Sequence, residues 1–163
     1  MKSVAEHHGP HEVPSLRSAA HLRSESGSVL IETAASYMLG MAMVLGIIEI
    51  CVMAYTYGVL SEAARNAVHY ACIHGTNSSS CSGPSTGCAD TSGANVVNQV
   101  TSFAGTFMGN AAGITVTVSY PDTTGSAAPS RVIVSISYPY QPLFALFGMR
   151  PTFQVSEQGR IVY

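Results

Sequence analysis

The sequence predicts an α+β fold, in which one long N-terminal helix packs on a small antiparallel sheet. Residues 28–74 contain no proline and only three glycines, so a single helix can run through them. Three later runs alternate apolar and polar residues, as strands with one buried face do. These runs are ITVTVSY at 114–120, VIVSISY at 132–138 and a longer, less regular segment at 152–162.

The first part of this helix is apolar enough to cross a membrane. Residues 29–48 contain one charged side chain, Glu32, and as a helix they rise about 30 Å, the thickness of a bilayer's hydrocarbon core. Burial inside a soluble protein is the alternative, but a run of this length without a polar face exceeds what a small domain hides. Only 10% of all residues are charged, which also favours a membrane and leaves no basic stripe for nucleic acid.

The charges on either side of the apolar run predict its orientation. Three bases lie before the run, at Lys2, Arg17 and Arg23. Only Arg65 follows closely, so the N-terminus faces the cytoplasm and the rest of the chain is exported. Residues 1–27 form a polar leader that contains two prolines, and we expect it to be disordered. An ordinary secretory signal is excluded because the apolar run is too long and no small-x-small cleavage pattern closes it.

Beyond the apolar run the helix becomes amphipathic. Leu60, Ala64, Ala67 and Ala71 recur at helical spacing, and their small apolar face suits close packing on a sheet or another helix. Gly75 is the predicted stop.

An exported α+β domain is predicted at residues 95–163. An exposed loop rich in Ser, Thr and Gly precedes it at residues 75–94. The domain's helix, residues 95–107, carries a broad apolar stripe, and Gly109 ends it. The three alternating runs then form the sheet.

Three cysteines lie on the exported side, where disulfides can form. Cys81 with Cys88 would close a tight loop and is the slightly favoured pair, whereas Cys72 with either of them is the alternative. One thiol is then left over or pairs between chains. The spacings do not match a zinc site.

The sequence contains no pattern typical of a catalytic or cofactor site. It has no nucleophile elbow and no phosphate-binding glycine loop. His69 and His74 are five residues apart and do not share a helical face. We therefore expect no enzymatic activity, no cofactor and no metal.

The junction at Gly27-Ser28-Val29-Leu30-Ile31-Glu32 is the most specific local feature. A lone carboxylate inside a bilayer costs about 2.5–3.5 kcal/mol at the centre and less near the interface. Cleavage after Gly27 would place a positive α-amino group on Ser28, one helical turn from Glu32 or beside the Glu32 of an adjacent subunit. The alternative is an interfacial Glu32 that snorkels or is protonated.

Other residues of the long helix form less specific patterns. Ser36 with Gly40, and Ala42 with Gly46, form small-x-x-x-small pairs that allow another helix to approach. Glu49 lies about 25 Å of helical rise beyond Glu32, so we expect it at the outer interface in a structural role.

The aromatic segment YPYQPLFALF at residues 138–147 has two interpretations. Its rings either cover the core or form a contact surface for another subunit or the membrane.

The junction resembles the class III signal of type IV prepilins and pseudopilins. More narrowly, three segments resemble the TadE-like family of minor pilins in tight-adherence (Tad) pilus systems, over residues 27–163. They are GSVLIETAASYMLGMAMVLGIIEI, LSEAARNAVHYA and VIVSISYPYQPLFALFG. The sequence differs at Thr33, where an aromatic residue often follows the glutamate.

The resemblance implies a pilin-like fold and a structural role in pilus assembly. Its implied partners are the membrane, a prepilin peptidase that cuts after Gly27, and other Tad pilins and assembly proteins in homo- or hetero-oligomers. The expected location is a bacterial inner membrane, with incorporation into a pilus as the further step. An uncleaved, membrane-tethered binding or adhesion protein is the alternative, and a tethered enzyme or thiol sensor is a third.

Overall fold

The computed structural model describes residues 16–75, 78–85, 87–109, 111–122, 129–144, 148 and 150–161, with side chains from Gly27 onwards. The elements are α1 Leu16–Ile73, α2 Ala94–Met108, β1 Thr115–Ser119, β2 Arg131–Pro139 and β3 Thr152–Arg160. The chain divides into two compact units, Met1–Leu45 and Gly46–Tyr163. The fold is α+β, as predicted.

Helix α1 begins at Leu16, twelve residues before the predicted start at Ser28. The expectation that the whole leader is disordered is therefore wrong for residues 16–27, while residues 1–15 lie outside the described part. Pro14 is the last proline before α1, and the residues after it are compatible with a helix. Extending an existing helix is easy because only its nucleation is unfavourable.

The N-terminal unit, as far as it is described, is an exposed apolar helix. Side chains such as Leu30 and Ile31 keep 71% and 74% of their surface exposed. One helical stretch of the described residues, Gly27–Ile73, is long and apolar enough to cross a membrane. The prediction of a long apolar N-terminal helix is confirmed.

In the second unit, three antiparallel strands form a sheet in the order β1-β2-β3. The three predicted strands are present. β1 and β2 each differ from the prediction by one residue at both ends, and β3 begins at Thr152 as predicted and ends at Arg160. Val116 pairs with Ile136, which in turn pairs with Val155, so the apolar positions of the three strands lie in register. Helix α2 ends at Gly109, whose φ of 67° is left-handed, as the sequence predicted.

The core lies between α1, α2 and one face of the sheet. The predicted face of α1, which is Leu60, Ala64, Ala67 and Ala71, is fully buried and is confirmed as the packing face. The residues that share its cluster include Val96 and Val100 of α2 and Val132, Val134 and Ile136 of β2. Alanines on this face allow the helix and the sheet to approach closely.

Gly159 in β3 marks a very close approach to α1. A Cβ atom at this position would clash with Val68 Cγ1 and would lie 2.7 Å from Cys72 Sγ. A larger residue here would require the side chains of Val68 and Cys72, or the helix that carries them, to move. The α1 helix ends at Ile73, one residue before its predicted end at His74 and two before the predicted stop at Gly75. The carbonyl of His74 accepts a hydrogen bond from the Ser82 N–H instead of from a helical donor.

The contacts between α1 and β3 show that the two run in the same direction. The ring of Tyr57 lies 6.1 Å from that of Phe153, at the start of β3, whereas Val68 and Cys72 face Gly159 near its end. Because β2 is antiparallel to β3, β2 ends beside the early part of α1 in this unit. The described residues Tyr140 and Phe144, at the start of the connection between β2 and β3, therefore lie next to Glu49.

Candidate functional site

Glu49 binds the segment that follows β2. The hydroxyl of Tyr140 donates a 2.6 Å hydrogen bond to Glu49 Oε1, and the Phe144 N–H donates one of 3.2 Å to Glu49 Oε2. Both carboxylate oxygens therefore have a donor from the same segment. We call these three residues the Glu49 clasp.

Aromatic packing holds the donor of the clasp in place. Tyr140 keeps only 4% of its surface exposed, and its ring lies 5.3 Å from that of Phe153, which also contacts Tyr57. The Tyr140 N–H donates to the carbonyl of Pro151 at 3.0 Å, which closes the β2–β3 connection at its base. The hydroxyl is thus aimed at α1 by a ring that cannot turn freely.

The clasp keeps Tyr140 protonated. Burial, the hydrogen bond to the Glu49 carboxylate and the negative charge of that carboxylate together raise the pKa of the Tyr140 phenol from its ordinary 10.0 to about 12. A phenolate beside this carboxylate would place two negative charges together. The arrangement is therefore a neutral donor bound to an acidic acceptor, which is a structural contact and contains no nucleophile.

A second polar centre, at Asp90, organises the segment before α2. Its carboxylate accepts hydrogen bonds from the Ala94 and Asn95 N–H groups at 3.0 and 2.7 Å, as a capping residue does. The Ser82 hydroxyl donates to it at 2.7 Å, and Ser92 donates through both its N–H and its hydroxyl. Asp90 thus joins the loop to the first turn of α2.

These hydrogen bonds decide the charge of Asp90. Burial alone would raise the pKa of the Asp90 carboxyl, but the donors from Asn95, Ser82, Ala94 and Ser92 together hold it well below its usual range. Asp90 is therefore an anion that also suits the positive N-terminal end of α2.

The Ser/Gly-rich loop is not exposed throughout. Cys81 and Ser82 keep only 3% and 2% of their surface, so the expectation of an exposed loop is wrong at these positions. The burial is possible because Asp90 and the backbone satisfy the polar groups; for example, the Gly83 N–H donates to the Asp90 carbonyl at 2.7 Å.

Cys81 and Cys88 form a disulfide, which is the pair that the sequence slightly favoured. Cys72 and Cys51 are free thiols, and Cys72 faces Gly159 across the α1–β3 contact. The described residues contain no group of three or more His, Cys, Asp or Glu side chains placed to hold a metal ion.

The predicted processing and assembly residues lie on the exposed part of α1. Gly27 and Ser28 lie within the helix rather than at its start, and Glu32 is exposed one turn later. The Ser36 hydroxyl donates to the backbone carbonyl of Glu32 at 2.9 Å. Among the described residues, no cation pairs with the Glu32 carboxylate.

The predicted helix-packing residues have open space around them. Ser36, Gly40 and Ala42 are exposed, and Gly46 is half-buried. A Cβ atom at Gly40 or Gly46 would meet nothing within 4 Å. Their role in packing against another helix stays a prediction.

The sequence indicated a structural role for Glu49, but it did not reveal that Tyr140 is its hydrogen-bond partner. Tyr140 is 91 positions away, and no local pattern connects the two. The available signal was weak: an acid at the end of an apolar run needs donors, and the segment at residues 138–147 contains two tyrosines.

No family model matches the chain, and no curated protein or solved structure matches it either. Functional conclusions therefore depend on the residues and on their geometry.

Proposed function

We propose that this chain is a TadE-like minor pilin or pseudopilin, a membrane-anchored structural component that supports assembly of a Tad pilus or a related secretion fibre. It spans a bacterial inner membrane once through the apolar run at residues 29–48, with its N-terminus in the cytoplasm and the domain that follows the run outside. A prepilin peptidase removes the leader after Gly27. Other pilins and assembly proteins then bind the exposed helix.

The observation that carries this proposal is the combination of an acid with an exposed apolar helix. From Val29 to Val44 the large apolar side chains of α1 are exposed, and Glu32 is the single charged residue among them. Such a surface needs lipid or other helices around it. The acid needs a cation, and the amine created at Ser28 by cleavage supplies one.

Cleavage requires the helix to open locally at Gly27. Glycine destabilises a helix interior by about 1 kcal/mol relative to alanine, so the Gly27–Ser28 bond is a weak point of α1. A Cβ at Gly27 would meet nothing within 4 Å, so the helix itself does not require glycine there. A requirement of the peptidase explains this residue better than packing does.

The alternative function is that of an uncleaved, membrane-tethered binding or adhesion protein whose exported unit meets a surface ligand. In the full-length chain helix α1 continues through Gly27 and Ser28, a continuity that an uncleaved protein and a precursor before cleavage share.

Mass spectrometry of the protein isolated from membranes of its native host decides between the two. The pilin proposal predicts a mature chain that begins at Ser28. Replacing Gly27 by Leu should retain residues 1–27, whereas the matched change Gly40→Leu, in the same helix and with equally open space, should leave processing intact. A wild-type chain that still carries residues 1–27 would contradict the proposal.

A further inference from the structure

We propose that Leu143 and Phe144 form a membrane-contact loop, which inserts into the headgroup region of the phospholipid layer on the outer side of the membrane. The inference rests on the membrane anchoring in the proposed function, but it does not depend on cleavage or on pilus assembly. Of the two possible contacts of the aromatic segment at residues 138–147, we propose the membrane and not another subunit.

The loop is held at the level where the apolar part of α1 ends. Glu49 is the first charged residue after the run at 29–48, and its carboxylate accepts a hydrogen bond from the Phe144 N–H at 3.2 Å. Leu143 and Phe144 nevertheless keep 63% and 36% of their surface exposed. Two large apolar side chains are thus fixed beside the end of the proposed span and left uncovered.

Two other segments expose apolar groups near the same level. Ile50 and Tyr55 follow Glu49 on α1 and are 66% and 55% exposed. The Tyr55 hydroxyl donates to the carbonyl of Phe107 at 3.1 Å, which brings the exposed end of α2 to a point about 9 Å of helical rise beyond Glu49. Aromatic residues gathered at this depth are typical of membrane interfaces, where a ring contacts acyl chains and a hydroxyl contacts water.

The charges of this region suit a phospholipid surface. The Glu49 carboxylate is covered by its two donors, which limits its repulsion of lipid phosphates. Arg150 is exposed and adjoins Pro151, whose carbonyl binds the Tyr140 N–H, so a guanidinium lies near the base of the loop. Arginine binds phosphate oxygens well. A phospholipid layer would contact Leu143 and Phe144 with its acyl chains and Arg150 with its phosphate groups.

The absence of tryptophan from the chain allows a direct test. Leu143→Trp places a single reporter in the loop, and Gln158→Trp is the matched control, exposed on β3 near the opposite end of the sheet. Each full-length variant is reconstituted into vesicles of phosphatidylcholine and phosphatidylglycerol, with or without bromine on the acyl chains close to the headgroup. Flotation of the vesicles measures anchoring separately.

We expect the Leu143→Trp reporter to emit at a shorter wavelength than the Gln158→Trp reporter. In brominated vesicles the Leu143→Trp reporter should lose most of its fluorescence, and the Gln158→Trp reporter should lose little. Equal, weak quenching of both reporters in protein that floats would overturn the membrane contact and leave the anchor intact. If quenching of the Leu143→Trp reporter falls as the protein-to-lipid ratio rises, another subunit covers the loop, and the loop would be assigned to a contact between subunits instead. Protein that fails to float would overturn the anchor and the contact together.

Discussion

The Tyr140 hydroxyl lies 2.6 Å from Glu49 Oε1, a hydrogen bond between residues 91 positions apart. It fastens the end of β2 to α1 at the residue where the apolar run stops. A carboxylate at that position would otherwise need water or a cation as its partner. The segment after β2 supplies two donors instead, so the position of the sheet along α1 is tied to the end of the apolar run.

Removing the donor of the clasp should destabilise the unit at Gly46–Tyr163. Tyr140→Phe leaves a buried ring without its hydroxyl and a carboxylate with one donor, and we expect a loss of about 1.5–3 kcal/mol in the free energy of unfolding. Urea unfolding in detergent micelles measures it. Tyr55→Phe is the control, because its lost bond to the Phe107 carbonyl is exposed and neutral and should cost about 0.5–1.5 kcal/mol. Equal losses in the two variants would show that the charge of Glu49 contributes nothing.

Alkaline pH should weaken the same contact. The pKa of Tyr140 is raised from 10.0 to about 12 in the folded chain, so folding holds the proton more tightly than the unfolded state does. This stabilisation is complete below pH 10 and is lost as pH rises through the folded pKa. The free energy of unfolding of wild type should fall more steeply over this range than that of Tyr140→Phe. Parallel curves would contradict the assignment.

Acid should weaken the loop before α2. The pKa of Asp90 is lowered, so its stabilisation is present above the ordinary value of 3.8 and is lost as pH falls below it. Asp90→Asn should cost about 1–2 kcal/mol near neutral pH, since it loses a charged cap, and should flatten the decline between about pH 5 and pH 2. Circular dichroism during urea unfolding measures both effects. An unchanged acid decline in the variant would assign that decline to another carboxylate, such as Asp122, whose pKa is lowered by hydrogen bonds from Arg131 and Ser130.

A methyl group at Gly159 should overpack the contact between α1 and β3. Gly159→Ala should destabilise the unit by about 1–3 kcal/mol, because the new Cβ collides with Val68 and crowds Cys72. Adding Val68→Ala should recover part of the loss. Gly105→Ala is the control, since it lies inside α2 with only Ala111 near its new Cβ, at 3.9 Å, and should stabilise by about 0.5–1 kcal/mol. A neutral Gly159→Ala would show that the helix is free to move.

Glu32 should matter for assembly and not for folding. Glu32→Ala removes the carboxylate that would pair with the amine of Ser28, so cross-linking between subunits in the membrane should fall strongly, while Glu32→Asp should retain part of it. Glu62→Ala is the control because Glu62 is an exposed acid on the same helix, 4.0 Å from Arg65. Normal cross-linking in Glu32→Ala would remove the proposed role, and a changed unfolding curve would assign Glu32 to the fold.

The sequence predicted the elements better than their boundaries. The alternation of VIVSISY revealed β2 because the strand period is local, and the spacing of Leu60 and Ala64 revealed the buried face of α1 for the same reason. The start of α1 was missed because composition does not show how far a stable helix extends beyond its nucleus. The loop at residues 75–94 was judged by composition alone, which cannot reveal that Asp90 makes the burial of Ser82 possible.

The sequence by itself determined that this chain has a long apolar helix with an acid in it, a small-residue face and three alternating strands. Those features depend on residues that are neighbours along the chain. Only the tertiary structure decided that Glu49 binds Tyr140, that Asp90 joins the loop to α2 and that Gly159 must be small. Each of these depends on which distant segments meet, and this is set by the packing of helix on sheet rather than by local periodicity.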